Sequence, residues 1–330
     1  MDIDHLQEKE RRDVMAQMAD LYYNQGKTQS EIAAHFGTNR FRVARMIQEA
    51  REERIVEIRI YFSEERNKAL EEELKKCLKL KDVLVVNTRR SSYIDGLAQI
   101  GEAGADYLAR ILEQGAYLGV SWGKTLHSVI SRLPDMHYHP VTAVQLAGYF
   151  PMTNPAVDAR ELTRMAALKC GGSCLYLDTP LYLRDLELKT RLWREPELER
   201  CLQSIRKLDV LVSGIGGLSS LPTRNPAVAP YLTEQDRRME AACIGSIYGR
   251  MLDQEGNEAD TDLNRRVMAA EREDLLRTPV RMVVACGRHK VDVLKKAAEK
   301  NWFNVLVTDA DTAAHVMESK KTTNVIFNNI

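Results

Sequence analysis

The chain carries no surplus charge of either sign: 47 Lys and Arg stand against 47 Asp and Glu in 330 residues. Composition alone therefore does not mark a binder of polyanions. The first sixty residues are no more basic, with ten Lys or Arg against eleven Asp or Glu. Cysteine is sparse and scattered, with Cys77, Cys170, Cys174, Cys201, Cys243 and Cys286 forming no C-x-x-C pair. That spacing argues against a disulfide framework or a ribbon-type zinc site and suits reduced thiols. A long uninterrupted apolar run and a secretory leader are also missing, so the expectation is a cytoplasmic protein with no membrane partner. Neither repeats nor low-complexity segments interrupt the chain. His137 and His139 lie between Pro134 and Pro140 and read as a polar loop rather than a metal site. No metal and no cofactor is expected.

What is present begins with Thr28–Ile47, which reads as helix, tight turn, helix. Thr28 with Glu31 three residues later forms a capping box. Gly37 can take the positive φ that a sharp turn between two helices needs, and Asn39 suits the cap of the second helix. At 100° per residue, Val43, Met46, Ile47 and Ala50 fall on one core-facing stripe. The opposite face carries Arg40, Phe41, Ala44, Arg45 and Gln48, with Arg42 at its flank. A merely solvated face rarely shows Phe and Ala, whereas a helix in the DNA major groove uses Arg for guanine, Gln for adenine and small or aromatic groups for the thymine methyl. The candidate DNA contacts are Thr28, Asn39, Arg40, Phe41, Arg42, Ala44, Arg45 and Gln48. A preceding helix over 8–25 offers Val14, Met15, Met18, Leu21 and Tyr22 to cover this pair, and Ile55–Ile60 alternates as a half-buried strand does.

Beyond a polar junction at Ser63–Lys68, short apolar strands alternate with helices. Strands are predicted at Val83–Val86, Val141–Leu146, Leu175–Leu177, Val210–Val212, Val280–Ala285 and Val305–Val307. Helices are predicted at Leu70–Leu80, Ile94–Leu112, Thr125–Ser131, Arg160–Lys169, Glu197–Ile205, Val291–Lys300 and Thr312–Met317. The fold class is α/β: a helix-turn-helix domain over 1–62 and a larger Rossmann-like domain over 63–330 with a mostly parallel sheet.

Ligands of such sheets bind in loops at the carboxyl ends of the strands. Gly119-Val-Ser121-Trp122-Gly123-Lys124-Thr125 looks like the end of a phosphate-binding loop. The P-loop glycine is displaced, however, because Leu118 stands where that glycine belongs, so nucleotide hydrolysis is not expected. Ser121, Gly123, Lys124 and Thr125 remain a candidate anion cradle. Ser213-Gly214-Ile215-Gly216-Gly217 and Gly287-Arg288-His289-Lys290 are two further loops of this kind. Asp253, in Asp253-Gln254-Glu255-Gly256, is either a partner for sugar hydroxyls or a turn former.

Together these stretches resemble the SorC family of bacterial transcriptional regulators over almost the whole chain. The likeness rests on Leu21-Tyr22-Tyr23, Gly26–Ile32, the three loops above, Asp253–Gly256 and Asn304–Ala313. It implies a helix-turn-helix joined to an effector domain similar to sugar-phosphate isomerases, regulating rather than catalysing. It also implies operator DNA and a phosphorylated sugar or polyol as partners, and a homotetramer or dimer of dimers. Carried over residue by residue, the effector contacts are Ser121, Gly123, Lys124, Thr125 and Lys290, an acidic contact at Asp253, and less directly Gln145, Gly216 and Gly217. Cys286-Gly287 departs from a Gly-Gly pair seen in many relatives. The competing readings are a sugar-phosphate isomerase or deaminase using Asp253 as acid/base, and a DNA-binding protein whose larger domain only oligomerises.

If Arg45 reads a base, Arg45→Ala costs about 1–3 kcal/mol in operator binding and relaxes specificity at one position. Arg42→Ala, at a phosphate, weakens binding of all sequences alike and lowers the salt slope by about 1. Mobility-shift titrations across salt concentrations separate the two.

Overall fold

The computed structural model describes residues 8–53, 55–56, 66–88, 93–136, 140–150 and 154–327. The expected strand Ile55–Ile60 falls mostly outside these residues, as do part of the junction and His137 and His139. The chain divides into two compact units, Met1–Ser63 and Glu64–Ile330.

In the first unit, α1 (Glu8–Tyr23), α2 (Gln29–Phe36) and α3 (Arg40–Glu52) surround one small core. Val14, Met15, Met18 and Ala19 of α1 meet Ile32 and Ala33 of α2 and the Val43, Met46, Ile47, Ala50 stripe of α3. Tyr22 does not belong to that core. It is exposed, and the small Ala19 takes the central place, which lets α1 approach the other helices closely.

The second unit opens with α4 (Lys68–Leu78), β1 (Asp82–Val86), α5 (Tyr93–Ile111), β2 (Tyr117–Val120), α6 (Lys124–Ile130), β3 (Thr142–Gln145), α7 (Ala159–Lys169) and β4 (Ser173–Leu175). Then come α8 (Leu186–Leu192), α9 (Pro196–Ile205), β5 (Val210–Ser213), β6 (Gly216–Gly217), α10 (Glu234–Met239), β7 (Cys243–Ile247) and β8 (Arg250–Asp253). The chain closes with α11 (Asp262–Arg265), α12 (Arg272–Arg277), β9 (Val280–Val284), α13 (Val291–Glu299), β10 (Val305–Asp309) and α14 (Ala310–Phe327).

Seven strands form one parallel sheet in the order β1-β10-β9-β5-β2-β3-β4. Successive side chains alternate between its faces. Val83, Val85, Val144, Leu211, Val283 and Leu306 pack with α4, α9, α13 and α14. Leu84, Val86, Leu118, Val120, Val212, Met282 and Val307 pack with α5, α6 and α7. Both faces are thus covered, as parallel sheets require.

In the second unit the predicted helices and strands are found with ends shifted by a few residues, except that the helix predicted at Thr312–Met317 runs on to Phe327 in α14; β2 and α8 were not among them. The four residues of β2 include Gly119, which breaks the apolar run. A side chain there would lie 2.8 Å from Leu146 and 2.9 Å from Leu208, so packing demands the glycine that hides the strand. Between β5 and β9 the chain leaves the main sheet and builds an antiparallel sheet, β6-β7-β8. No element was predicted there, because Gly- and Pro-rich turns dominate its sequence.

Asn264 anchors this excursion. Its Oδ1 accepts the Met251 N–H at 2.9 Å, and its Nδ2 donates to the carbonyls of Met251 and Ala259 at 2.9 and 2.8 Å. The side chain is buried. Asn264→Ala would leave the Met251 N–H without its partner, while the carbonyls of Met251 and Ala259 each keep one backbone N–H, and is expected to cost about 1–3 kcal/mol. Urea unfolding followed by near-UV circular dichroism measures it; a change under 0.5 kcal/mol would contradict this account.

Candidate functional site

The first unit presents α3 as the sequence implies. The Thr28 hydroxyl accepts the Glu31 N–H at 3.3 Å, and the Glu31 carboxylate accepts the Thr28 N–H at 2.8 Å. Gly37 leaves α2 at φ 64°, and Asn39 Oδ1 accepts the Arg42 N–H at 2.9 Å. Thr28 also donates its hydroxyl to Glu31 at 2.8 Å, so its side chain is occupied by the cap. Arg40, Phe41, Ala44, Arg45 and Gln48 share the face turned away from the core stripe. Phe41 is 72% exposed, with the Arg40 guanidinium 4.8 Å from its ring centroid. Arg45 Nε donates to Glu49 at 3.0 Å, and Gln48 Nε2 donates to Glu52 at 3.0 Å.

In the second unit the strand order turns round between β2 and β5: the chain goes from β2 outward to β3 and β4, then returns to β5 on the other side. Connections diverge at such a point and leave a crevice at the carboxyl ends of the strands. A cavity of about 620 Å³ lies there, within the range of small-molecule sites. The loop after β2 contributes Ser121, Trp122, Gly123, Lys124 and Thr125; the loop after β5 contributes Ser213, Gly214 and Gly216; the loop after β9 contributes His289 and Lys290. The structure therefore brings together the three loops singled out in the sequence.

Its remaining walls were not foreseen. Phe150, Tyr182 and Tyr248 add aromatic surface beside Trp122 of the first loop. The stretch Ser219–Pro226 supplies Arg224 and Asn225 from short 3₁₀ turns. Arg224 Nε donates to Glu240 at 2.8 Å. Helix and strand periodicity carries no signal for such turns; the prolines at 222, 226 and 230 mark only irregular chain.

Among the described residues the cavity is lined by no Asp or Glu, while Lys124, Arg224 and Lys290 bring positive charge. Lys290 is half-buried and has no ion pair among the described residues. Burial holds its ammonium below the usual lysine range, partly offset by Cys286 and Asp309 nearby. Burial and the neighbouring Lys290 likewise depress His289. A desolvated cation facing a cavity favours an anion there.

Three expected effector residues stand elsewhere. Asp253 closes β8, four residues beyond the Tyr248-Gly249 tip that lines the cavity, roughly 13 Å along a strand rising ~3.3 Å per residue. Its carboxylate accepts the N–H groups of Glu255 and Asn257 at 3.0 and 2.8 Å, the turn-forming role. Gln145 is buried beneath the site and donates to the Ala147 carbonyl at 2.6 Å. Gly217 serves close packing: a Cβ there would stand 2.3 Å from the His289 carbonyl oxygen. Gly216, by contrast, does line the cavity.

The lowered affinity of Lys290 for its proton has a sign that can be checked. The charged form is penalised in the folded state, so the penalty is present at neutral pH and fades as pH rises through the folded value toward about 10.4. Lys290→Met is thus expected to raise the stability of the ligand-free protein at pH 7, with the gain shrinking in alkali. Thermal melts from pH 7 to 10 test this, and a destabilised variant at pH 7 would argue the opposite.

A family model for a sugar-binding domain matches residues 64–318. The sorbitol operon regulator of Klebsiella pneumoniae is 26% identical over 303 residues, covering 91% of this chain and 96% of that protein. The deoxyribonucleoside regulator of Bacillus subtilis is 24% identical over 310 residues, covering 93% of this chain and 97% of that protein. A crystal structure of the full-length sorbitol operon regulator SorC from Klebsiella pneumoniae superposes with a TM-score of 0.71 at 26% identity, over 92% of this chain and 98% of that one. With a helix-turn-helix unit, a parallel-sheet unit matching the sugar-binding model and similarity running through both, the chain belongs to the SorC family of bacterial transcriptional regulators.

Proposed function

We propose that this regulator binds a palindromic operator through α3, and that a phosphorylated sugar or polyol in the second unit's cavity sets its affinity for that DNA. The observation that carries the effector reading is a cavity at the β2/β5 reversal with three side-chain cations and no carboxylate among the described residues. Lys290 and Lys124 are the phosphate partners, with Ser121, Gly123, Thr125 and Gly216 around them. Trp122, Phe150, Tyr182 and Tyr248 offer flat surface to the C–H faces of a carbon chain, as aromatic side chains do. The DNA contacts are Arg40, Phe41, Arg42, Ala44, Arg45 and Gln48, with Asn39 at the helix start. The working species is a homotetramer or dimer of dimers, so two-fold related α3 helices engage half-sites about 34–36 Å apart, or multiples of that spacing.

For an isomerase or deaminase the sequence offers one acid/base, although His289 and Lys290 also line the cavity. Asp253, the residue assigned that role from the sequence, spends its carboxylate on backbone N–H groups away from it. The relatives are named as regulators. Whether the effector releases or promotes DNA binding depends on which of two protein states it prefers, and the two ligands affect each other reciprocally.

Thermal melts against a panel of sugar and polyol phosphates, each beside its dephosphorylated form and inorganic phosphate, test the reading. A phosphorylated ligand at a hundredfold excess over its Kd stabilises the folded state by about 2.7 kcal/mol, and the dephosphorylated form does not. Mobility shift with that ligand then shows altered operator binding. Lys124→Ala and Lys290→Ala retain operator binding and lose the response. An unchanged response in both variants would remove the phosphate assignment.

A further inference from the structure

Glu49 sits on a helix meant to approach a polyanion, where a carboxylate repels phosphate. Both its oxygens are engaged. Arg45 Nε donates to Oε1 at 3.0 Å, and Arg11, which comes from α1, pairs with Oε2. The Glu49 side chain is 24% exposed, against 75% for Arg45. A fixed carboxylate thus stands at the root of a cation that reaches into solvent. An ordinary i, i+4 pair needs no third residue on another helix. Gln48 and Glu52, three positions along the same helix, show the unbraced version: an exposed carboxylate with one hydrogen bond among the described residues.

The orientation of the bond matters. A guanidinium is a planar fork of five donors. Glu49 takes the Nε side of Arg45, and among the described residues the two Nη groups have no partner. That Nη pair is the edge able to reach guanine O6 and N7 together. We propose that Glu49, braced by Arg11, is a positioning residue for base reading: it orients Arg45 so that its Nη edge faces a guanine of the operator. This rests on α3 being the reading helix. The carboxylate then serves specificity at the expense of general affinity, which accounts for an acidic residue on the DNA-facing helix of a unit whose first sixty residues carry no net basic charge.

The test uses the full chain and duplexes selected by the wild-type protein from a library with a randomised core of about 20 base pairs. Each base pair of the selected duplex is then changed singly, and binding is compared for wild type, Arg45→Ala, Glu49→Gln and Arg11→Ala. At the pair read by Arg45, wild type prefers guanine by roughly five- to 150-fold, and Arg45→Ala removes that preference. Glu49→Gln keeps the shape but loses the charge. It should bind every duplex more tightly while its guanine preference at that same pair falls several-fold or more, and Arg11→Ala should lower the preference to an intermediate value. A residue that only stabilises α3 or repels phosphate would shift all duplexes together and leave the ratio alone. Glu49→Gln with a wild-type ratio overturns the proposal while leaving Arg45 as a base reader. Arg45→Ala with every ratio unchanged overturns the reading of α3, and this inference with it. Melting curves of the three variants show that each is folded before binding is compared.

Discussion

A parallel strand can be reached only through a crossover, and in this sheet the crossovers part company between β2 and β5. Everything chemical in the second unit follows from that reversal. The loops after β2 and β5 face each other across it, and the loop after β9 joins them because β9 is the next strand beyond β5. The strands also pack side chains on both faces, so none of their interior residues is available for a ligand. Recognition has to come from loop residues at the strand ends, which are short, glycine-rich and hydroxyl-bearing. The antiparallel excursion between β5 and β9 supplies the rest of the wall with Tyr248 and Gly249 at its tip.

That tip carries a cost. The hairpin from Ile247 to Arg250 turns through two residues of positive φ, 50° at Tyr248 and 82° at Gly249. Turns of this type favour Asn or Gly at the first position, and a tyrosine there is strained. The surroundings hold it: the Tyr248 hydroxyl donates to the Trp302 carbonyl at 3.2 Å, and Tyr182 donates to the Gly249 carbonyl at 2.7 Å. Tyr182 is itself a cavity residue, so one hydrogen bond ties two walls of the site together.

Much of this was legible in the chain. Thr28, Glu31, Gly37 and Asn39 act locally, and caps and turns are decided within three or four residues, so the helix-turn-helix could be read directly. The three loops were legible for the same reason. Asp253 stayed between two roles because a carboxylate before Glu255-Gly256 is equally suited to a ligand and to its own backbone; the structure shows the backbone contacts. Tyr22 was misread because helical spacing marks a face without saying how close the neighbouring helix comes, which the small Ala19 decides. The wall from Ser219 to Pro226 left no trace, since 3₁₀ turns have neither period. The bracing of Arg45 spans 38 positions from Arg11 to Glu49, and no local pattern reports a contact of that range.

For an anionic ligand, the cations of the cavity are not equivalent. Lys290 has no ion pair among the described residues, so an arriving phosphate restores solvation that burial removed and displaces nothing. Arg224 already holds Glu240, and an anion that takes it must compete with a carboxylate 2.8 Å away. The first kind of contact contributes affinity in any conformation that keeps the loop after β9 in place. The second changes which segments are tied together, because Glu240 belongs to the turn leading into β7 and Arg224 to the wall before α10. Only interactions that differ between two protein states can change DNA affinity. Exchange at Arg224 would break a tie between those two segments, whereas neutralising Lys290 breaks none. In the proposed mechanism, therefore, Lys290 accounts for binding the effector, and the Arg224–Glu240 pair is the contact in this cavity best placed to turn that binding into a change of state.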